Sequence, residues 1–249
     1  MNKKLISAGK KLAAALFWAA VWQITAKFVG NPLLLPGPVQ VLGRLGEMAL
    51  QGEFWRITAF SIGRIVLGAG VAVVLGVGLA VPSAMSGALC ALISPLMTAM
   101  KAAPVASFAI LVLIWLERDL VPVVICGMMV LPVVWGNVYA GIREVDSHLL
   151  EMAKVYRLPG RRVLTRIYVP SVRPYFRAAC RTALGLGWKA GIAAEVLTVP
   201  RSSIGRMIAD SKLYLMTEDL FAWTLTVVVL SLLLEKITLR LLGGEDDRA

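Results

Sequence analysis

Four ionisable side chains lie within long apolar stretches of this 249-residue sequence, and they are its strongest candidates for chemistry. They are Arg64, Lys101, Lys189 and Glu195. Each costs on the order of 2.5–3.5 kcal/mol near the centre of a membrane-spanning helix, so each is a functional candidate by default. We interpret them as candidates for a translocation path, with the two lysines suited to an anionic or zwitterionic solute. The structural alternative for Lys101 and Lys189 is an ion pair, or a side chain that reaches the membrane surface.

Lys189 and Glu195 are too far apart around one helix to neutralise each other. They are six residues apart, which is about 240° of rotation at 3.6 residues per turn. Each of the two therefore needs a partner on another helix.

Catalytic and metal chemistry find little support in the sequence. It has no G-x-x-x-x-G-K-[ST] phosphate-binding loop. His148 is the only histidine, and its neighbours Leu149 and Leu150 are not ligands. Three scattered cysteines, Cys90, Cys126 and Cys180, are typical of small packing residues. We expect neither enzymatic activity nor a cofactor in this chain.

The composition is that of a membrane protein. Hydrophobic residues make up 58% of the chain and charged residues 16%, with a mean hydropathy of +0.77, whereas soluble domains are about 45–50% apolar and about 25% charged. Disorder and a small disulfide scaffold are excluded as well. The net charge of +11 could indicate nucleic-acid binding, but the basic residues alternate with long apolar runs, which favours cytoplasmic membrane loops.

Six apolar stretches approach the roughly 20 residues that a helix needs to cross a bilayer. We predict an all-α single domain over 1–249 with spans at 12–28, 57–81, 88–116, 120–140, 175–199 and 220–242. The runs are continuous and not alternating, which excludes barrel strands. Lys3, Lys4, Lys10 and Lys11 precede the first span as in a signal peptide, but no small-residue cleavage site follows, so we expect a retained helix.

Small residues and prolines predict how the spans pack. Small residues recur along two spans, and such ladders allow close helix packing, most simply within the chain: Gly68, Ala72, Gly76 and Ala80 in span two, and Ala183, Gly187 and Gly191 in span five. Prolines are expected to interrupt two other spans: Pro95 and Pro104 in span three, and Pro122 and Pro132 in span four. Broken helices require protein or water around them, which predicts positions inside the bundle or along a path.

The distribution of Lys and Arg predicts the orientation. With both termini and the segment from Arg143 to Arg181 on the cytoplasmic side, sixteen of the 26 basic residues lie inside and seven outside. This arrangement agrees with the positive-inside rule. The polar tail, 243–249, is expected to be frayed.

The segment 143–174 differs from the rest of the chain because it is polar and rich in arginine. An apolar stripe at helical spacing, formed by Leu149, Leu150, Ala153 and Tyr156, predicts a first short helix. Ser147 is its expected N-cap, and Pro159-Gly160 is an expected break. A second short helix is predicted over about 161–169, with Val163, Leu164 and Ile167 on one side, ending before Pro170. Composition alone would also fit a loop that lies on anionic lipid headgroups.

One pattern in this segment resembles the loop signature of ABC importer permeases. That signature is Glu-Ala-Ala, three residues, Gly, nine residues and Ile-x-Leu-Pro, and its spacing fits Glu151-Met152-Ala153, Arg157 and Ile167-Tyr168-Val169-Pro170 without a gap. Met152, Arg157 and Val169 depart from it. Since Arg157 replaces the glycine of the turn, we expect Pro159-Gly160 to supply the turn instead.

Other segments extend the resemblance to about residues 30–240. Three patterns are similar to the nitrate, sulfonate and taurine branch of these permeases: Leu33-Leu-Leu-Pro-Gly-Pro38, Ser61-Ile-Gly-Arg64 with Gly68, and Leu184-Gly-Leu-Gly-Trp188 with Ala194-Glu195. The branch also includes permeases for thiamine precursors and riboflavin, so the solute stays open between anion and vitamin-precursor types.

The resemblance implies a MetI-like, type I importer permease in a bacterial inner (plasma) membrane. Its loop would dock onto a separate ATPase subunit that binds ATP and Mg, through the following residues: Glu151, Met152, Ala153, Arg157, Gly160, Ile167 and Pro170. A second permease copy and an extracellular or periplasmic binding protein would complete the transporter. The alternative is a self-contained secondary transporter or channel with Lys101 and Glu195 in an ion relay; such proteins often show repeated halves, which the sequence lacks.

Overall fold

The computed structural model describes residues 2–241, and every regular element in that range is helical, so the predicted all-α class is confirmed. The helices are α1 (Asn2–Val29), α2 (Pro38–Ala49), α3 (Gly52–Met85), α4 (Gly87–Ala102), α5 (Val105–Val112), α6 (Val121–Arg143), α7 (Ser147–Val155), α8 (Gly160–Val163), α9 (Val169–Thr198), α10 (Ile204–Leu213) and α11 (Thr217–Leu241). A π-helical turn, Leu164–Tyr168, joins α8 to α9. The predicted tail, 243–249, lies outside the described residues.

The helices follow the six predicted spans, but they differ in how well each could cross a membrane alone. Within residues 2–241, α3, α6 and α11 are long and apolar enough to do so. Helices α4 and α5 qualify only together, as a span bent by 105°. Helix α1 contributes the apolar stretch Ala13–Val29. Helix α9 has 30 residues, but five of them are charged, so its polar side chains need protein or water around them.

Proline breaks one predicted span and leaves the other intact. In predicted span three, α4 ends at Ala102, and Ala103, the residue before Pro104, is extended. The reason is that a proline disfavours the helical conformation of the residue before it. Pro95 and Pro132 lie inside continuous helices, so the prediction that they interrupt their spans is wrong. Neighbouring groups in a bundle can satisfy the backbone that such prolines free. Pro122 lies in the first turn of α6, where its missing N–H breaks no helical hydrogen bond.

Helix α6 forms the centre of the bundle, with its most extensive packing against α3 and α9. Val130 and Val134 of α6 are fully buried, as is Trp188 of α9 apart from 2% of its surface. This burial confirms that span four lies inside the bundle. Helix α4 is less buried than α6, since Met97 is the one buried residue of α4 in the single chain.

Small residues set the separation of the three central helices. A Cβ added to Gly68 on α3 would overlap the carbonyl oxygen of Val123 on α6. A Cβ on Gly187 of α9 would come within 2.7 Å of Val130 and 2.9 Å of the Cys126 sulfur, also on α6. The predicted ladders therefore pack within the chain, and α6 lies between the backbones of α3 and α9.

An outer layer of α1, α2 and α11 covers one side of this centre. Arg44 on α2 donates hydrogen bonds to Asp219 on α11 and, at 2.9 Å, to Glu47. These bonds raise the pKa of the Arg44 guanidinium above its ordinary value, so it remains cationic. The rings of Trp22 on α1 and Phe221 on α11 stack at 5.7 Å. The other large apolar side chains of the stretch Ala13–Val29 are exposed in the single chain.

Replacing Gly68 by alanine should weaken the bundle, since the new methyl group has no space beside Val123. We expect a loss of about 1–3 kcal/mol, typical of overpacking, seen as a lower melting temperature of the purified protein. Gly70 is the matched control on the same helix, because nothing lies within 4 Å of its added Cβ. Equal melting temperatures for Gly68→Ala and Gly70→Ala would contradict the close contact.

Candidate translocation and coupling site

Glu195 is fully buried near the end of α9, and other helices supply its partners. Its Oε2 atom accepts hydrogen bonds from the Ser61 hydroxyl at 2.8 Å and from the Gly205 backbone N–H at 3.2 Å. Its Oε1 atom accepts no hydrogen bond but lies 3.6 Å from a guanidinium nitrogen of Arg64. The carboxylate therefore ties α9 to α3 and to the first turn of α10.

Arg64 joins this carboxylate to two loops. Its guanidinium forms an ion pair with Asp119 at 2.8 Å, in the loop between α5 and α6. It also donates to the carbonyl oxygens of Arg201 at 2.7 Å and Ser202 at 3.1 Å, in the loop between α9 and α10. Asp119 in turn accepts a bond from the Arg201 backbone N–H at 2.9 Å. One cation thus holds two loops against α3.

The loop between α9 and α10 is strained where Arg64 holds it. Val199 and Ser202 adopt positive φ angles of 49° and 45°, and such a conformation is a genuine outlier for a β-branched residue. Gly205 approaches Glu195 so closely that an added Cβ would overlap its backbone. Strain of about 1–3 kcal/mol per residue persists only where surrounding contacts enforce it, and the contacts of Arg64 and Glu195 do so here.

Lys189 and Lys101 lie outside this network. Both side chains are exposed in the single chain, and neither forms an ion pair with any residue in the described range. Lys189 lies on α9, about one and two-thirds turns before Glu195. Lys101 lies in the last turn of α4, and its amine is 3.8 Å from the position of an added Cβ on Gly136 of α6.

The four sequence candidates thus divide into two kinds. Arg64 and Glu195 are brought together in a closed network, whereas Lys101 and Lys189 remain open. Sequence reasoning missed Ser61 and Asp119 as partners. Ser61 lay in the Ser61–Arg64 pattern, which was the available signal; Asp119 had none, since it is an ordinary acidic residue in a short loop.

The predicted coupling loop begins with α7, whose N-cap is Asp146 and not the expected Ser147. The Asp146 carboxylate accepts a hydrogen bond from the His148 backbone N–H at 2.8 Å. Ala153 and Ile167 are buried, at 4% and 5% exposure. Other residues of the predicted docking set are exposed, namely Glu151, Met152, Arg157, Gly160 and Pro170. Ala153 and Ile167 therefore pack the loop itself.

The turn of the loop lies at Arg157. This residue has a φ of 48°, and its N–H and that of Leu158 bond to the carbonyl oxygens of Lys154 and Ala153. These are the two bonds of a Schellman motif, in which the left-handed residue is usually glycine. The expectation that Pro159-Gly160 supplies the turn is wrong, because Gly160 already begins α8 and its φ is not positive.

The second helix of the loop continues past Pro170, whereas the sequence predicted that it ends before this proline. Helix α8, the π-helical turn and α9 follow one another without a break from Gly160 to Thr198. The turn is closed by the Val169 N–H, which bonds to the Leu164 carbonyl. Wider turns of this kind are frequent at functional sites. The predicted start of span five at residue 175 therefore lies within a longer helix.

The two ends of the loop are joined at its base. The Tyr175 hydroxyl on α9 donates a hydrogen bond to Glu144, just after α6. The Tyr175 ring also packs against Gly141, where an added Cβ would come within 2.8 Å of it. The loop therefore rests on a fixed contact between α6 and α9.

A family model described as "Binding-protein-dependent transport system inner membrane component" matches residues 72–242. This range covers α6, the predicted coupling loop and α9, and so includes Lys101, Lys189 and Glu195.

Relatives over most of the chain are named as transport permeases. The chain is 26% identical to a "putative aliphatic sulfonates transport permease protein SsuC" of Bacillus subtilis, over 82% of this chain and 74% of the relative. It is 24% identical to "taurine transport system permease protein TauC" of Escherichia coli, over 86% and 80%. It is also 24% identical to "bicarbonate transport system permease protein CmpB" of Synechococcus elongatus, over 90% and 84%.

Glu195→Gln should destabilise the bundle strongly. The neutral side chain would leave the Arg64 charge partly unpaired in a buried setting, and breaking such a pair costs about 3–5 kcal/mol. We expect a clear fall in melting temperature. Glu53→Gln is the control, since Glu53 pairs with Arg56 at the surface, where such pairs contribute about 0–1 kcal/mol. If both variants melt alike, the network does not stabilise the fold.

Replacing Arg157 by glycine should stabilise the loop, because glycine has no steric penalty at positive φ. We expect a gain of roughly 1 kcal/mol in local stability, measured as slower amide hydrogen exchange in α7. Arg157→Val should do the reverse, since a β-branched residue is a poor fit there. Faster exchange in the glycine variant would show that the turn lies elsewhere.

Proposed function

Since the chain belongs to the family of binding-protein-dependent transport system inner membrane components, we propose that two copies of it form the pathway of an ATP-driven importer for a small anion. Membership makes the chain a membrane permease subunit and implies an ATPase subunit and a substrate-binding protein as partners. ATP and Mg would bind to the ATPase subunit. The alternative of a self-contained secondary transporter loses its basis with this membership.

The exposed Lys189 carries the proposal of an anionic solute. It lies well inside α9, and no carboxylate of the described residues lies within ion-pair distance of it. An ammonium group facing lipid at that depth would be costly, so protein or water must surround it in the assembled transporter. A path that conducts an anion would provide water and a counter-charge together.

The position of Lys101 supports the same assignment. It lies at the end of α4, immediately before the break at Ala103–Pro104. Discontinuous helices are typical of solute sites near the middle of the membrane. The names of the relatives support an anionic group in the solute, because sulfonate and bicarbonate are anions and the zwitterion taurine carries a sulfonate group.

Surfaces that one chain leaves open support the proposed assembly. Helix α1 exposes most of its large apolar side chains, and α9 exposes the face that carries Lys189. A second copy would cover such surfaces, which supports a homodimer with the path between the copies. The excess of Lys and Arg in the termini and in 143–174 supports a cytoplasmic location for these segments.

The coupling loop would dock onto the ATPase subunit through its exposed apolar side chains. Met152, Val155 and Tyr156 are 44%, 78% and 73% exposed on or just after α7. Apolar side chains that protrude from a polar loop are typical of a protein interface. Ala153 supports this surface from beneath and would not touch the partner.

Lys189→Met should abolish transport but leave the complex assembled. The methionine keeps the length of the side chain and removes the charge, so we expect a loss of uptake of at least tenfold with basal ATPase activity retained. Transport is measured as uptake of labelled sulfonate, taurine or bicarbonate into vesicles, and ATPase activity is measured as phosphate release. Lys212→Met on α10 is the control and should transport normally. Normal uptake by Lys189→Met would remove the argument for an anion.

Val155→Asp should separate docking from folding. Val155 is mostly exposed, so the variant should melt like the wild type but fail to retain the ATPase subunit during purification. Ala153→Asp should lose both stability and the subunit, because a buried carboxylate without a partner is costly. Retention of the ATPase subunit by Val155→Asp would contradict the docking surface.

A further inference from the structure

A large apolar groove separates the helix bundle from the predicted coupling loop. It has a volume of about 1220 Å³, somewhat larger than the 300–1,000 Å³ or so of most ligand pockets. One wall is α3, with Val77 and Val81, and another is the end of α6, with Ile142. The third wall comes from the loop and the start of α9, with Val163 and Val172. Part of the loop therefore faces this groove and is not packed against other protein there.

Two arginines are the charged residues among those that line the groove. Arg143 ends α6 and Arg173 lies in α9, and both are exposed. Within residues 2–241 neither has a carboxylate within 4 Å. The nearest acidic neighbour in sequence, Glu144, is already hydrogen-bonded by Tyr175. The groove thus combines apolar walls with two unpaired cations.

The groove also extends along the membrane-spanning direction. Its lining on α3 runs from Val73 to Met85, which at 1.5 Å per residue is roughly 18 Å of helix. The arginines lie at the end of the groove nearest the loop. A ligand that fills it must have a long apolar part and an anionic end.

We propose that this groove binds an anionic phospholipid, with its acyl chains between α3 and the loop and its phosphate against Arg143 and Arg173. Basic pockets between membrane helices on the cytoplasmic side are suited to such headgroups. A second copy is the competing occupant, and cross-linking of two copies in membranes distinguishes it from a lipid. An ATPase subunit would reach the loop but not Val73 inside the membrane.

The bound lipid would support the coupling loop. It would fill the space beneath Leu150, Val163 and Leu164 and bridge α6 to α9 through its phosphate. Movement of the loop would then depend on the lipid as well as on the ATPase subunit. This consequence rests on the proposed function of the loop, whereas the binding of the lipid does not.

The test is native mass spectrometry of the permease purified with its ATPase subunit from membranes that contain phosphatidylglycerol. We expect one tightly retained phosphatidylglycerol per permease chain. The double variant Arg143→Gln/Arg173→Gln should lower its retention by about tenfold or more, because it removes the charge-assisted bonds to the phosphate. Val77→Trp should also lower retention by filling the groove.

Arg161→Gln/Arg166→Gln is the matched control, since it removes two exposed charges from the same segment that do not line the groove. It should retain the lipid like the wild type. The proposal would be overturned if both double variants retained phosphatidylglycerol equally, or if phosphatidylcholine fully replaced phosphatidylglycerol in the wild-type protein. So would disulfide cross-linking of two copies through Val81→Cys in membranes, since protein would then cover the groove. Lipid retention is read without transport, so a failure of the transport assays alone would count only against the proposed function.

Discussion

A carboxylate buried in an apolar bundle has to be satisfied by protein groups, and the satisfaction of Glu195 organises one end of this molecule. Its partners come from α3 and from the first turn of α10, so neither helix can move away without leaving a charge unpaired. Arg64 extends the same requirement to two loops, through Asp119 and the carbonyl groups of Arg201 and Ser202. Backbone strain at Val199 is tolerated because these bonds hold the loop in place.

The lysines present the opposite case. Lys189 and Lys101 lie in apolar segments without a carboxylate partner in the described chain, and a cation in that position is stable only beside protein, water or a counter-ion. The chain thus contains two kinds of charged groups. Arg64, Asp119 and Glu195 pair with one another within the fold, whereas the two lysines have no carboxylate partner among the described residues. The network around Glu195 belongs to the fold, whereas the lysines are the groups that we propose line the path.

Much of this arrangement follows from the sequence, and the exceptions have physical reasons. Continuous apolar runs locate the spans, and glycine ladders predict the close approach of α3 and α9 to α6. A proline in the sequence does not by itself predict a break, because Pro104 lies at the bend between two helices, whereas Pro132 lies inside the continuous, buried helix α6. The burial of Ala153 and the left-handed turn at Arg157 could not be read from composition, since burial depends on tertiary packing and arginine rarely adopts a positive φ.

The unbroken helix from Gly160 to Thr198 has a mechanical consequence. At 1.5 Å per residue it is roughly 58 Å long, with the coupling loop at one end and the strained loop after Glu195 at the other. Its backbone approaches α6 closely at Gly187, where an added Cβ would come within 2.9 Å of the Cys126 sulfur. If the proposed ATPase subunit pushed on α8 and the helix turned about this contact as one body, its two ends would move in opposite directions, so that Val199 would move against the push.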